Sequence, residues 1–150
     1  IAAVKRAEKG LLVQKLMVFL EGTAFNTKPL ALCSARRAYT PIGGAVQKIN
    51  SWHGQYPVVL CTYRRMRTGL VRRALRQYGV QYAVLEHRRR GEAYADVVLR
   101  VHPDILVEDD CSSIGGAAEM CVTKLPQNER ERIRSIVVPE FGGIDGGMLE

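Results

Sequence analysis

Acidic and hydroxyl side chains recur in this chain directly after short apolar runs. Leu16 to Leu20 is followed by Glu21-Gly22-Thr23, the run from Val58 by Thr62, and Ile105-Leu106-Val107 by Glu108-Asp109-Asp110. Three consecutive carboxylates repel one another unless a cation, an arginine cluster or solvent relieves them, and oxygen donors of this kind suit a hard ion such as Mg²⁺. Ser112 and Ser113 follow at once, so the same residues also read as a solvated acidic turn or a helix N-cap. A second signal is basic. Between Tyr63 and Arg90 the chain carries Arg64, Arg65, Arg67, Arg72, Arg73, Arg76, Arg88, Arg89 and Arg90 against the single acid Glu86. A guanidinium next to Thr62 can clasp phosphate through two hydrogen bonds. Arg72, Arg73 and Arg76 instead fall between the apolar positions of a helical pattern and read as its solvated face. Tyr63, Tyr78 and Tyr82 interleave the stretch and offer stacking to nucleic acid, although Tyr78 and Tyr82 fall at core positions.

These groups need a scaffold, and composition bounds it. The 150 residues suit one domain; 47% hydrophobic and 25% charged residues describe a chain that can bury a core and exclude disorder or a disulfide scaffold. With 22 Lys+Arg against 15 Asp+Glu the net charge is +7, which favours anionic ligands as a class. No apolar run approaches the ~18 residues of a membrane-spanning helix. Cys33, Cys61, Cys111 and Cys121 lack CxxC spacing and read as buried free thiols, which suits a reducing, cytoplasmic location. His53, His87 and His102 share no ligand spacing, and each ends an element. Residues 1–15 precede the first strand pattern and are expected to be a leader or linker, with residues 16–150 as a single domain.

Periodicity then places the motifs. A continuous apolar run at Leu16–Leu20 predicts a buried parallel strand, and Val58–Thr62, Gln81–Glu86, Ile105–Glu108 and Ile133–Val138 are expected to be four more strands. Helical spacing predicts helices over Ile42–Trp52, Gly69–Tyr78 and Gly91–Val101. Residues 24–41, with Pro29 and Pro41, read as a long loop with at most one helical turn. Alternating strands and helices imply an α/β fold with a parallel sheet, helices on both faces and right-handed crossovers; ligands of such sheets bind at the carboxyl ends of the strands. Glu21, Thr23, Thr62, Asp109 and Asp110 all fall there. The tail Phe141-Gly-Gly-Ile-Asp-Gly-Gly is flexible by composition and is expected either to fold over the strand ends or to fray.

In this order the motifs resemble the haloacid dehalogenase-like (HAD) hydrolases. The resemblance spans about residues 16–138 and rests on Phe19-Leu20-Glu21-Gly22-Thr23, Thr62, Arg88-Arg89-Arg90-Gly91, and Pro103-Asp-Ile-Leu-Val-Glu-Asp-Asp110 with Gly115-Gly116 beyond. It implies a three-layer Rossmann-like core with a five-stranded parallel sheet in the order 5-4-1-2-3. The segment 24–41 is too short for a large cap. It also implies Mg²⁺ held by Glu21, Asp109 and Asp110, and phosphate held by Thr23, Thr62 and Arg89 or Arg90. The family's first motif is Asp-x-Asp-Gly-Thr, whose first Asp attacks phosphorus and whose second is the acid and base. Alignment on Gly22-Thr23 puts Phe19 at the nucleophile position and Glu21 at the acid-base position. A phenyl ring has no lone pair to attack with, so the phosphoaspartate mechanism is expected to be absent. Three readings follow: a Mg²⁺-assisted binder of a phosphorylated small molecule or macromolecule, a divergent phosphatase-type hydrolase with Glu21 as its catalytic group, and a basic nucleic-acid-binding module.

Overall fold

The computed structural model describes residues 13–29, 34–64 and 67–147; Cys33, Arg65 and most of the expected leader lie outside them. Its strands are β1 (Leu16–Phe19), β2 (Phe25–Thr27), β3 (Tyr39–Pro41), β4 (Val58–Thr62), β5 (Val84–His87), β6 (Ile105–Asp109) and β7 (Arg134–Val138). Its helices are α1 (Ala35–Ala38), α2 (Ala45–His53), α3 (Thr68–Gln77), α4 (Tyr94–Val101), α5 (Cys121–Lys124) and α6 (Gln127–Arg132), with a 3₁₀ turn at Gly116–Glu119.

Strand alternation decides the layering. Leu16 and Val18 of β1, Val58 and Leu60 of β4, and Ile105 and Val107 of β6 face one core with Ile49 and Trp52 of α2 and Val71 and Leu75 of α3. Met17, Val59, Cys61 and Leu106, one residue out of phase, face a second core with Val97, Val98 and Val101 of α4 and Cys121 of α5. Both faces of the central strands are therefore dry, which is why their sequences read as unbroken apolar runs.

All pairs in the five-stranded sheet are parallel, with the order β5-β4-β1-β6-β7. Counted along the chain this is 5-4-1-6-7, not the expected 5-4-1-2-3. The numbers differ because β2 and β3, in the segment expected to be loop, pair antiparallel in a separate two-stranded sheet and fall between β1 and β4 in chain order. Phe25 and Tyr39 anchor that hairpin in the first core, and α1 supplies the single helical turn. Boundaries also move elsewhere, and the helix expected over Ile42–Trp52 runs from Ala45 to His53. The third long helix begins at Tyr94 rather than Gly91, because Asp96 at its third position accepts the Ala93 N–H at 2.8 Å and starts the helix there. The strand expected over 81–86 runs from Val84 to His87.

The termini of the described chain are tied in. Lys15 donates its N–H to Asp104 at 2.8 Å and its ammonium to the Val101 carbonyl at 2.7 Å. The glycine-rich tail does not fray: Ile144 is fully buried in the first core and Asp145 accepts the Gly44 N–H at 3.0 Å. No helix among the described residues is long and apolar enough to cross a membrane.

Candidate metal and ligand site at the strand ends

The turn after β1 folds tightly because the Phe25 N–H reaches the Leu20 carbonyl at 2.8 Å and Gly22 adopts φ +78°, a conformation that glycine takes without strain. This aims Glu21 toward β4 and Thr23 toward β6. Glu21 Oε1 accepts the Thr62 hydroxyl and, at 3.2 Å, the Tyr39 hydroxyl; its Oε2 accepts the Tyr63 N–H at 3.1 Å. Arg64 Nε donates to the Tyr39 hydroxyl at 2.5 Å, so the β3 edge of the hairpin closes the network. Burial is the main influence on Glu21 and raises its carboxyl above the ordinary 4.5, although three donors pull the other way. Tyr39 is pushed up to about 12 by burial and by the Glu21 charge.

On the other side, the fully buried Thr23 donates its hydroxyl to Asp109 Oδ2 at 2.9 Å, and the Cys111 N–H reaches Asp109 Oδ1 at 2.8 Å. Asp110 Oδ1 accepts the Ser112 N–H at 3.2 Å and the Glu140 N–H at 3.1 Å. Glu140 in turn accepts the Ser113 N–H and hydroxyl, both at 2.7 Å, and these hold its carboxyl below the ordinary 4.5. One oxygen from each of Asp109, Asp110 and Glu140 lies within 4.8 Å of the others. Three carboxylates at that spacing fit a hard divalent cation such as Mg²⁺, which takes oxygen ligands at about 2.0–2.1 Å and keeps several waters.

The structure brings part of the expected ligand set together. Asp109 and Asp110 meet, but the third carboxylate is Glu140 and not Glu21, whose oxygens are held by Thr62, Tyr39 and Tyr63. Glu108, first of the three consecutive acids, points into the second core. It is 3% exposed, and its oxygens accept the Cys121 N–H at 2.7 Å and the Val122 N–H at 3.0 Å.

A cavity of about 200 Å³ opens beside the triad, with Phe19, Glu21, Tyr63, Tyr94, Asp109 and Glu140 in its wall. The Phe19 ring meets the Tyr94 ring edge-on, with centroids 5.5 Å apart and planes at 88°. The expected phosphate ligands are arranged differently from the sequence reading. Thr23 and Thr62 are buried with their hydroxyls given to Asp109 and Glu21. Arg89 and Arg90 are exposed, and Arg89 lines a separate cleft with Lys15, Glu86 and Arg100. The guanidinium that approaches the site is Arg88, whose central carbon lies 4.6 Å from the Tyr94 ring centroid and whose Nε is buried without a hydrogen-bond partner. Strand parity is the sequence signal for it: Arg88 is two residues beyond Glu86, which faces α4 through a 2.9 Å ion pair with Arg100.

Other expectations are met as packing. Tyr78 and Tyr82 pack on the first core, leaving Tyr63, 42% exposed, as the open ring of the three. Glu92, just after the arginine run, accepts the Arg89 N–H at 2.6 Å and pairs with Arg100 at 3.1 Å. Cys61, Cys111 and Cys121 are free thiols, and burial pushes Cys61 and Cys111 up to about 12, so they carry no thiolate at neutral pH. Among the described residues, Cys111 and the buried Cys121 share the wall with Glu21 and Asp109, and no histidine does.

No family model and no curated protein matches the chain. Among solved structures it is similar to D,D-heptose 1,7-bisphosphate phosphatase from B. bronchiseptica, complexed with magnesium and phosphate. The identity is 16% over 87% of this chain and 94% of that one, with a TM-score of 0.47. A universal stress protein in complex with cAMP is similar at 16% identity over 85% of this chain and 95% of that one, with a TM-score of 0.38. Neither likeness bears on the chemistry of this site.

Proposed function

We propose that the protein is a divalent-cation-dependent binder of a phosphate or phosphoester on a HAD-like scaffold, without phosphoaspartate chemistry. The observation that carries this reading is the meeting of Asp109, Asp110 and Glu140 beside a cavity at the carboxyl ends of parallel strands, where ligands of such sheets bind. The cation supplies the positive charge that an anionic ligand requires among these acids. Arg88, set against the Tyr94 ring and not in the cavity wall, adds positive charge beside the phosphate in place of the exposed Arg89 and Arg90.

Turnover by the usual route fails at Phe19, which offers a ring where a carboxylate would have to attack. Glu21 does not take over that role. Three protein donors already occupy its oxygens, and reaching phosphorus would mean surrendering them.

Calorimetric titration with Mg²⁺, followed by inorganic phosphate on the Mg²⁺-loaded protein, tests the reading. Mg²⁺ should bind, phosphate should bind only when Mg²⁺ is present, and Asp110→Asn or Glu140→Gln should weaken Mg²⁺ by at least about tenfold. Absence of Mg²⁺ binding would sink the reading. So would Mg²⁺-dependent phosphoester hydrolysis that disappears in Glu21→Gln, which would instead establish the divergent hydrolase.

A further inference from the structure

The cavity beside the triad has a wall that a metal ion does not explain. Three aromatic rings, Phe19, Tyr63 and Tyr94, and the aliphatic Ile114 line it. Five carboxylates, those of Glu21, Glu108, Asp109, Glu119 and Glu140, and the thiols Cys111 and Cys121 complete the wall, and no Lys or Arg among the described residues lines it. In a chain of net charge +7, this is a local reversal of sign. Lys124 offsets Glu119 at 3.1 Å, but it stands outside the wall.

Each class of ligand uses this wall differently. A metal ion uses the carboxylates and leaves the rings idle. A flat neutral ring stacks on the aromatics and gains nothing from the charge. A bare phosphate is repelled by both the carboxylates and the electron-rich ring faces. An organic cation uses both, because the face of an aromatic ring attracts positive charge as a carboxylate does. The rings already display that attraction: Arg88 sits 4.6 Å from the Tyr94 centroid and Arg64 sits 5.4 Å from the Tyr63 centroid. Phe19 and Tyr94 stand at 88° to one another and form a corner, a shape that receives a compact rounded group better than a flat one.

We propose that this cavity is a binding site for a small alkylammonium group, and that a fully alkylated nitrogen suits it best. The second part follows from the hydrogen bonds. Glu21 already accepts three donors and Glu108 accepts two backbone N–H groups, so these acids contribute charge more than free acceptor positions. A ligand without N–H groups loses little there. Ile114 and Tyr63, 66% and 42% exposed, flank the cavity where such a head group would enter. Joined to the metal-held phosphate, the occupant would be a phosphate monoester of a short amino alcohol; that extension alone rests on the reading under Proposed function.

The test titrates the full chain with choline and with 3,3-dimethylbutan-1-ol, the uncharged carbon counterpart of choline, each with and without Mg²⁺. Choline should bind about tenfold or more tighter than the alcohol, as expected for a cation–π contact strengthened by desolvation. Tyr63→Leu and Tyr94→Leu should each remove most of that preference while leaving Mg²⁺ affinity unchanged, and Tyr63→Phe should retain it. Equal binding of choline and the alcohol would reduce the cavity to an apolar pocket and overturn the inference. Choline binding that ignores both Tyr variants would place the cation elsewhere and overturn it as well, as would no choline binding at millimolar concentration. A parallel titration with inorganic phosphate separates the two proposals: choline binding without Mg²⁺-dependent phosphate binding upholds the cation site and rejects the phosphate reading. With Mg²⁺ present, phosphocholine binding more tightly than glycerol phosphate supports the joined ligand, and equal affinities overturn that extension.

Discussion

Two kinds of carboxylate meet at the carboxyl edge of the sheet. Glu21 and Glu108 lie inside the rim, and burial raises both carboxyls above 4.5. Glu140 lies on the rim, where the hydroxyl and N–H of Ser113 hold it below 4.5. All three accept hydrogen bonds from the protein, so the count of donors does not separate them. What separates them is whether those donors must also replace lost water. Inside the rim a carboxylate is first a desolvated charge, and its donors offset that cost; on the rim the donors act on a group that water already solvates. The inner acids thus behave as parts of the fold, while Glu140, with Asp109 and Asp110, keeps its charge where a cation can reach it.

Replacing Glu108 with alanine tests the inner class most severely. The Cys121 and Val122 N–H groups at the start of α5 would lose their acceptors, and a buried unpaired N–H costs about 1–3 kcal/mol, so Glu108→Ala should destabilise the protein by about 3 kcal/mol in chemical denaturation. Mg²⁺ affinity at temperatures where the variant remains folded should stay within about twofold of wild type, since the variant changes no triad oxygen. A stable Glu108→Ala variant that fails to bind Mg²⁺ would move Glu108 into the metal site and dissolve the distinction.

Gly22 lies on the boundary between the two classes. A Cβ there would stand 3.2 Å from Asp109 Oδ2, and the φ of +78° strains any other residue. Gly22→Ala should therefore cost about 1–2 kcal/mol of stability through the left-handed backbone alone. Because the crowded oxygen is the one that accepts the Thr23 hydroxyl, the same variant should also weaken Mg²⁺ binding. Lost stability with unchanged Mg²⁺ affinity would show that the β1 turn supports the inner network but not the triad.

The boundary between what the sequence disclosed and what it concealed follows the range of the interactions. The three central strands of the main sheet were legible because burial on both faces writes itself as an apolar run, and the same rule put Glu21, Thr62, Asp109 and Asp110 at one edge. Glu140 was concealed by separation: it joins Asp110 across 30 residues, although an acid two residues past the last strand was open to the strand-end argument that found the others. The β2–β3 hairpin was concealed because its strands have three residues each, too few to show alternation, and because Pro41 reads as a loop signal. Arg88 was hidden by its neighbours in the run Arg88-Arg89-Arg90, where composition is uniform and only strand parity distinguishes the inward residue. In the tail, four glycines outweighed Ile144 in a compositional reading, yet the single buried isoleucine holds the segment against the core.

The smallest expected effect is a change of sign in Glu21→Gln. A glutamate whose carboxyl is raised above 4.5 in the folded protein binds its proton more tightly there than in the unfolded chain. Its favourable contribution is present below the unfolded value and is lost as pH rises through the folded one, so above that folded value the buried charge of Glu21 is a standing cost. Glutamine keeps the neutral form and one acceptor oxygen at every pH. The variant should therefore melt at or above wild type once the pH is above the raised folded value, and that advantage should shrink as pH falls through that value toward 4.5. Glu108 titrates in both proteins and cancels from the difference. If the variant is instead less stable at neutral pH and approaches wild type in acid, the donors from Thr62, Tyr39 and Tyr63 outweigh burial, and Glu21 belongs with Glu140 as a stabilised anion at the ligand's side of the rim.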